Sequence, residues 1–337
     1  MKPYEYAILI GRFEPPHNGH IALYNYAAEI ANKVIIVIGS NNASVSIRNP
    51  WTTKERELFL RSSVTGNFEI IAINDSAYNF NDWLLRLQQK IAAITGNKKT
   101  AVVGHYRDDT SYYLDYFPQW DVKTLPAQAQ DVSSTSIRKA CFEGTLDQVK
   151  NSVSPQVYEL LQHWTRTEHF DKIQDEYLFI KNYKKKWEAA PYPPIFVTAD
   201  AVVMALGHVL LIRRGHNPGK GKLALPGGFV NQNEQIERAC LRELKEETNL
   251  DIGHKELKGS IKHTHIFDHP MRDPRGRVIT HAFMFDLVVK ELPKIKAGDD
   301  AASDSAVWFP LYQIEEKENE FFNDHAQIIK FFVNIMG

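Results

Sequence analysis

The segment GRFEPPHNGH (residues 11–20) follows directly on the apolar run YAILI (6–10). An unbroken apolar run is typical of a strand buried on both faces of a parallel sheet. The next stretch, IALYNYAAEIANK (21–33), repeats apolar residues at helical spacing. Gly11 and Gly19 therefore lie where a strand gives way to a helix, and both let the backbone approach a ligand closely. The segment predicts a strand, a ligand-binding loop and a helix.

The same alternation continues to about residue 128. Strands separated by helices predict a Rossmann-like parallel sheet covered on both faces, and ligands of such sheets bind at the carboxyl ends of the strands. The other candidate elements are the strands VIIVIGS (34–40), FEIIAI (68–73), TAVVGH (100–105) and VKTLPA (122–127) and the helix NDWLLRLQQKIAAI (81–94).

A charged, helix-compatible stretch that closes with three prolines, TRTEHFDKIQDEYLFIKNYKKKWEAAPYPP, predicts a domain boundary. We expect a nucleotide-binding domain over 1–170, a linker helix with a proline-rich end over 171–194, and a second domain over 195–337. The lysine cluster KNYKKKW (181–187) fits a phosphate or RNA patch, but a solvated helix face is the better interpretation.

The second domain shows a different pattern, which predicts an α/β/α sandwich with a mixed sheet. The segment VTADAVVMALGHVLLIRRG (197–215) predicts a β hairpin, and LALPGGFV (223–230) a loop with a short strand. QIERACLRELKEETNL (235–250) predicts one helix, and THAFMFDLVVKEL (280–292) a further strand.

Charge and composition limit the possible partners. The 337 residues include 40 Lys and Arg against 41 Asp and Glu, a net charge of −1. Global attraction to nucleic acid or to an anionic membrane is therefore excluded, and anion binding must be local. The two cysteines form no disulfide framework, and MKPYEY does not resemble a signal peptide. We expect a cytoplasmic protein that binds small nucleotides, with homo-oligomerisation left open.

The first loop carries groups suited to phosphate. His20 falls at the predicted helix start, where unpaired amides and the helix dipole favour anions. Arg12 and the imidazoles of His17 and His20 can donate to phosphate oxygens. Two other interpretations remain: a metal pair, for which no Cys or carboxylate at suitable spacing completes a site, and ordinary surface histidines.

A second candidate phosphate site is SSTSIR (133–138). Ser and Thr are good helix caps, and Arg138 in the first turn can reach an anion bound there. With these two motifs the chain resembles the nucleotidylyltransferase superfamily, whose HxGH signature is met by residues 17–20. The order of IGSNNAS (38–44), SIRNPWTTKER (46–56) and FNDW (80–83) further resembles the archaeal-type nicotinamide mononucleotide (NMN) adenylyltransferases.

This resemblance implies a reaction and a set of site residues. The NMN phosphate would attack the α-phosphorus of ATP, with Mg²⁺ on the ATP, to give NAD and pyrophosphate. Asn81 and Trp83 would lie near the nicotinamide, although Trp83 fits equally well into an apolar helix face with Leu84, Leu87, Ile91 and Ile94. The implied catalytic residues are His17, His20 and Arg138, which also serve the phosphates. The implied ATP-binding residues are Gly11, Arg12, Phe13, Arg48, Ser133, Ser134, Thr135 and Ser136.

A cluster of acids lies on the predicted helix of the second domain. Glu243, Glu246 and Glu247 share one helix face. Three adjacent carboxylates repel one another unless a hard cation such as Mg²⁺ or Mn²⁺ compensates, although a solvated acidic face is the usual meaning of ELKEE alone.

The complete spacing resembles the Nudix box at eight of nine positions, and Asn249 replaces the usual glycine. Asn tolerates the left-handed conformation that ends a helix. The resemblance implies that Glu243, Glu246 and Glu247 bind metal, with a backbone carbonyl from Gly228. Arg242 would orient the carboxylates and Glu234 would support them. Candidates for the general base are Asp299, Asp300 and Asp304.

Substrate choice is predicted from HIFDHPMRDPRGRVITHAF (265–283), which resembles the corresponding region of ADP-ribose pyrophosphatases and of related regulators. Its arginines, Arg272, Arg275 and Arg277, suit a diphosphate clamp or surface salt bridges, and we favour the ligand. Hydrolysis of ADP-ribose to AMP and ribose 5-phosphate is the hypothesis. Two alternatives stay open: a non-catalytic sensor of ADP-ribose or NAD, and another acceptor, such as nicotinate mononucleotide, for the first domain.

Overall fold

The computed structural model describes residues 1–105, 114–125, 133–296 and 306–336. Its internal contacts divide the chain into two units, Met1–Asp175 and Glu176–Gly337. The division falls inside a helix that spans Glu168–Lys185. None of the helices in the described ranges is long and apolar enough to cross a membrane.

The first unit is built on a five-stranded parallel sheet. Its strand order, β3-β2-β1-β4-β5, confirms the predicted Rossmann-like class. The strands are β1 (Tyr4–Gly11), β2 (Ala31–Ile38), β3 (Phe68–Ala72), β4 (Thr100–Gly104) and β5 (Asp121–Thr124). The helices are α1 (Asn18–Ile30), α2 (Thr53–Ser63), α3 (Phe80–Thr95), α4 (Ser134–Phe142), α5 (Pro155–Trp164) and α6 (Glu168–Lys185).

Both faces of this sheet are covered because consecutive strand residues point to opposite sides. Leu9 of β1 belongs to a core cluster that includes Tyr24 of α1 and Leu60 of α2. Its neighbour Ile8 belongs to a second core cluster, on the opposite face of the sheet, together with Leu87 of α3. This double burial explains why the strand sequences are unbroken apolar runs.

The loop after β1 lies at the point where the strand order reverses. β1 pairs with β2 on one side and with β4 on the other, so the connections on its two sides run in opposite directions. Such a reversal leaves a crevice at the carboxyl ends of the strands. Gly11 is the last residue of β1, which puts the segment 11–20 at this crevice.

The second unit contains a seven-stranded mixed sheet. Its central strand β6 pairs in parallel with β11 and antiparallel with β7 and β9, which confirms the predicted mixed sheet. The strands are β6 (Ile195–Ala205), β7 (His208–Arg213), β8 (Leu223–Ala224), β9 (Gly227–Phe229), β10 (Ile261–Phe267), β11 (Arg277–Asp286) and β12 (Ala306–Pro310). The helices are α7 (Ile236–Thr248), α8 (His254–Gly259) and α9 (His325–Met336).

The helices and strands predicted for the second unit agree with the structure, with two differences. The β6–β7 hairpin and the single helix α7 are confirmed, and Asn249 ends α7 in the left-handed conformation, with φ of 40°. The strand predicted over 280–292 instead spans Arg277–Asp286. β10 was not predicted, because IKHTHIF lacks the strict alternation that marks a half-buried strand.

Candidate active sites

The two histidines of the first motif form a capping box at the start of α1. His17 is the N-cap residue, and its Nδ1 accepts a hydrogen bond from the backbone N–H of Gly19 at 3.2 Å. The backbone N–H of His17 in turn donates to Nδ1 of His20, also at 3.2 Å. The two rings lie 3.9 Å apart between centroids. The interpretation as ordinary surface histidines does not fit, because His17 is buried.

This geometry fixes which ring nitrogen can donate. Because Nδ1 of each ring accepts a hydrogen bond, a neutral His17 or His20 carries its proton on Nε2. Each imidazole therefore offers an Nε2–H donor at a helix N-terminus, where the dipole already favours an anion. Phe13, buried in an edge-on contact with the His20 ring, fixes the orientation of that ring.

Three arginines of the first unit lie close enough to repel one another. Burial lowers the pKa of Arg48 to about 10, and the charge of Arg12 contributes to this shift. Burial and the same Arg12 charge lower the pKa of Arg138 to about 10. With pKa values of about 10, Arg48 and Arg138 stay charged at neutral pH, so a polyanion would stabilise this cluster of positive charge.

The second motif begins α4, and its hydroxyls shape the helix start. Ser133 is the N-cap and forms a capping box with Ser136. Ser134 donates to the backbone carbonyl of Pro15 at 2.9 Å, which ties α4 to the first motif. Arg138 donates to the carbonyl of Glu14 at 2.6 Å and to Oγ1 of Thr135 at 3.2 Å. The structure thus brings the two motifs together.

The predicted nicotinamide residues lie at the start of α3. Asn81 is exposed. Trp83 is half-buried, stacks on Phe80 and packs against the core cluster of Leu87 and Ile91. The apolar face predicted for this helix is confirmed, and a role of Trp83 at a nicotinamide stays a prediction.

Two buried charged residues, Glu14 of the first motif and Arg56, were not singled out from the sequence. Glu14 and Arg56 are 1% and 2% exposed, and Arg56 Nε lies 3.4 Å from Oε1 of Glu14. Burial raises the pKa of Glu14 to about 7, even though Arg56, Arg12 and Arg138 act in the opposite direction. The only sequence signal for either residue was its place in a quoted segment, 11–20 for Glu14 and 46–56 for Arg56.

In the second unit, Arg242 organises the acids of α7. It donates to both carboxylate oxygens of Glu234, at 2.8 and 2.9 Å, and these hydrogen bonds lower the pKa of Glu234 to about 2. Its Nη1 also donates to Glu243 at 2.6 Å and to Glu246 at 3.0 Å. The orienting role predicted for Arg242 therefore has a geometric basis in this structure.

The remaining acid, Glu247, points to the glycine pair before α7. It accepts a hydrogen bond from the backbone N–H of Gly227 at 2.9 Å. A Cβ added to Gly228 would lie 2.5 Å from the carboxylate of Glu243. Only glycine leaves room for this carboxylate, so α7 and the segment 227–228 form one unit of structure.

The acids fit a hard divalent cation in their chemistry. Burial raises the pKa of Glu247 to about 8, and the negative charge of Glu243 adds to this shift. The protein alone therefore supplies too little positive charge to keep both Glu243 and Glu247 ionised. Within the described ranges, however, no three acidic, histidine or cysteine side chains are arranged as a ready ligand set. Two of the three box acids, Glu243 and Glu246, instead accept hydrogen bonds from Arg242.

The predicted substrate arginines are each paired with an acid of their own unit. Arg272 forms a buried, bidentate pair with Asp324, with both distances 3.0 Å. Arg275 pairs in the same way with Asp273, and Arg277 lies 3.6 Å from Asp268. These pairs favour the salt-bridge alternative, most clearly for Arg272, and ligand binding by the three stays a prediction.

Another arginine near α7, Arg214, was not predicted. Its guanidinium lies 4.0 Å above the Phe322 ring, and its Nε donates to the carbonyl of Pro218 at 2.9 Å. Its charge lowers the pKa of Glu247, opposing the effect of burial. An arginine held in this way is suited to a phosphate group bound beside the acids. The candidate bases Asp299, Asp300 and Asp304 lie outside the described residues.

Comparison with known proteins finds a match for each half of the chain. The Cytidylyltransferase-like family model matches residues 8–140, and the NUDIX domain model matches residues 195–332. A nicotinamide/nicotinic acid mononucleotide adenylyltransferase of Acinetobacter baylyi is 27% identical over 182 residues, which cover 52% of this chain and 95% of that protein. An ADP-ribose pyrophosphatase of Methanocaldococcus jannaschii is 38% identical over 170 residues, 48% of this chain and 85% of that protein.

A solved structure also matches both halves at once. A bifunctional NMN adenylyltransferase/ADP ribose pyrophosphatase from Francisella tularensis, complexed with AMP and a manganese ion, is 32% identical to this chain. The match covers 99% of this chain and 100% of that one, with a TM-score of 0.92.

Proposed function

The chain belongs to the family of bifunctional NMN adenylyltransferase/ADP-ribose pyrophosphatases, and we propose that it carries out both reactions on separate sites. The first unit transfers AMP from ATP to NMN, giving NAD and pyrophosphate. The second hydrolyses ADP-ribose to AMP and ribose 5-phosphate. The small-molecule partners are ATP, NMN, NAD and ADP-ribose.

The convergence of Arg12, Arg48 and Arg138 carries the proposal for the first unit. Three guanidiniums that repel one another at the carboxyl end of a parallel sheet are stabilised by a bound triphosphate. The Nε2–H donors of His17 and His20 add hydrogen bonds where charge accumulates as pyrophosphate leaves. No covalent enzyme intermediate is required, so these residues act by positioning and by electrostatic stabilisation.

For the second unit we propose that Glu243, Glu246 and Glu247 hold Mg²⁺ or Mn²⁺. Metal binding would replace the hydrogen bonds that Arg242 donates to Glu243 and Glu246. The bidentate pair of Arg242 with Glu234 would keep the arginine close to the acids. The bound cation would neutralise charge on the diphosphate and activate water. Arg214 and, as predicted from the sequence, Arg272, Arg275 and Arg277 are candidates to bind the diphosphate or the terminal ribose.

A catalytic second unit is favoured over a sensor by a specific observation. All three acids of the box are present, and Gly228 keeps the space that the Glu243 carboxylate occupies. A domain that only bound its ligand would have no need of this arrangement. The cytoplasm is the compartment that we propose, because the nucleotide substrates are found there and Cys141 and Cys240 are free and buried.

Product analysis with the substrates supplied separately tests the proposal. We expect NAD and pyrophosphate from ATP and NMN, and AMP and ribose 5-phosphate from ADP-ribose with Mg²⁺. Nicotinate mononucleotide in place of NMN tests the alternative acceptor. Metal-independent binding of ADP-ribose without release of AMP would instead support the sensor.

A further inference from the structure

Arg56 of α2 joins the loops that follow two neighbouring strands. Its Nη1 donates to the backbone carbonyls of Arg12 at 3.0 Å and Gly39 at 2.7 Å. Its Nη2 donates to the carbonyl of Ser40 at 3.1 Å and to Oγ1 of Thr53 at 3.0 Å. One side chain thus holds the segment after β1, the segment after β2 and the first turn of α2.

Burying the charged guanidinium of Arg56 costs free energy of folding. The shape of the guanidinium indicates what the protein gains in return. A buried ion pair such as Arg56 and Glu14 usually stabilises a fold no better than apolar residues of the same volume. The planar guanidinium, however, presents several donors in a fixed fork, and it can hold carbonyls from different loops at set positions. A lysine ammonium is a single point and cannot span them.

We propose that Arg56 is a positioning residue of the adenylyl-transfer site, one that fixes the backbone on both sides of the crevice so that Arg12 faces the ATP phosphates. The inference rests on the proposed function of the first unit. The Arg12 carbonyl is bound by Arg56, while the Arg12 guanidinium is anchored on Asn49 at 3.1 Å. Arg56 itself need not contact either substrate.

The test compares Arg56→Lys with Arg61→Lys. Arg61 lies on the same helix, is about half exposed and pairs with Glu57, so its replacement should change neither activity. For Arg56→Lys we expect ATP to bind at least tenfold more weakly, and kcat/KM for ATP to fall at least tenfold, in protein that remains folded. Hydrolysis of ADP-ribose by the same preparation should be unchanged.

ATP affinity distinguishes positioning from a purely structural role. If Arg56 only stabilised the fold, Arg56→Lys would lower the melting temperature and leave the ATP Kd of the folded protein unchanged, and that result would overturn the proposal. If Arg56→Lys does not fold, Thr53→Val is the second test, because it removes the hydroxyl that accepts a hydrogen bond from Arg56 Nη2. For Thr53→Val we expect a threefold or larger rise in the ATP Kd. An unchanged Kd in that variant would also overturn it. ATP binding can be measured even if the wild-type protein forms no NAD. Failure of the proposed NAD synthesis can therefore be told apart from failure of the role proposed for Arg56.

Discussion

At the scale of single residues, the HxGH motif combines a capping role that the structure shows with a phosphate-binding role that we propose. His17 and His20 satisfy backbone amides that would otherwise lack partners at the start of α1. The same hydrogen bonds leave Nε2 as the protonated nitrogen of each neutral ring, and we propose that it donates to the ATP phosphates. A residue can therefore be structural through one ring nitrogen and functional through the other, and a suitable substitution separates the two.

Asparagine and alanine at position 20 distinguish these roles. His20→Asn places an acceptor near the position of Nδ1 and should preserve the cap, whereas His20→Ala removes both the cap and the donor. We expect both variants to lose about 10²- to 10³-fold in adenylyl-transfer kcat. Only His20→Ala should also lower stability, by about 1 kcal/mol. Steady-state kinetics and thermal melts check this, and a fully active His20→Asn would refute a donor role for Nε2.

Glu14 predicts a pH dependence of stability. Its pKa is about 7 in the folded protein against 4.5 for an unperturbed carboxyl, so the folded state binds the proton more tightly. The unfolding free energy should therefore fall as pH rises from 4.5 to above 7, by up to about 3 kcal/mol. Glu14→Gln should flatten this dependence in melts at pH 5.5 and pH 8. Glu57→Gln, at a partly exposed carboxylate of α2, is the control. An unchanged slope in Glu14→Gln would contradict the assignment.

At the scale of elements, the two adjacent glycines that begin β9 have different tasks. A Cβ at Gly227 would lie 2.5 Å from the backbone carbonyl of Ala199, which cannot move without disturbing β6. A Cβ at Gly228 would meet only the end of the flexible Glu243 side chain. The first glycine is thus required by the sheet, and the second by the acids.

Alanine at each position tests this distinction. Gly227→Ala should destabilise the second unit by roughly 1–3 kcal/mol. Gly228→Ala should leave stability nearly intact and lower ADP-ribose hydrolysis by about 10- to 100-fold, because it displaces a proposed metal-ligating carboxylate. Gly253→Ala, where an added Cβ has no neighbour within 4 Å, is the control. Full hydrolase activity in Gly228→Ala would argue against Glu243 as a ligand.

The elements also show which parts of the fold can be predicted from sequence. Strands β1 to β4, helix α7 and its asparagine cap were predicted because apolar runs, helical spacing and capping residues are local signals. The edge strand β10 was missed, since five of its residues are exposed and its pattern is not set by a core. α2 was quoted only as part of a motif, because its sequence is rich in charge.

The site was predictable to the extent that its residues are close in sequence. Arg56 could not be recognised as buried, because the carbonyls it binds lie 16, 17 and 44 residues away. For the same reason the pairing of Arg272 with Asp324, 52 residues apart, was not foreseen. Arg214 belongs to a loop whose function no local spacing indicates. Long-range partners of charged residues require the folded structure.

At the scale of the whole molecule, one chain carries two phosphate-handling sites built on opposite principles. The first unit gathers cationic and N–H donors at the starts of α1 and α4, and we propose that they bind the phosphates directly. The second lines up acids on α7, and we propose that they hold a divalent cation that contacts the substrate. The first product, NAD, contains the ADP-ribose group that the second unit is proposed to degrade when it is free.

This arrangement predicts that the two activities can be removed one at a time. Glu246→Gln should abolish most ADP-ribose hydrolysis while NAD synthesis continues, and removal of free Mg²⁺ and Mn²⁺ should stop hydrolysis. His20→Asn should have the converse effect. Loss of both activities in either single variant, with the protein still folded, would show that the sites are not separate.

The most direct measurement is therefore a product assay on the wild type, His20→Asn and Glu246→Gln, each incubated once with ATP, NMN and Mg²⁺ and once with ADP-ribose and Mg²⁺. We predict NAD and pyrophosphate at the wild-type rate in the first reaction for the wild type and Glu246→Gln only, and AMP and ribose 5-phosphate at the wild-type rate in the second for the wild type and His20→Asn only. Wild-type protein that forms neither NAD nor AMP, or NAD formation at the full rate by His20→Asn, would contradict the account.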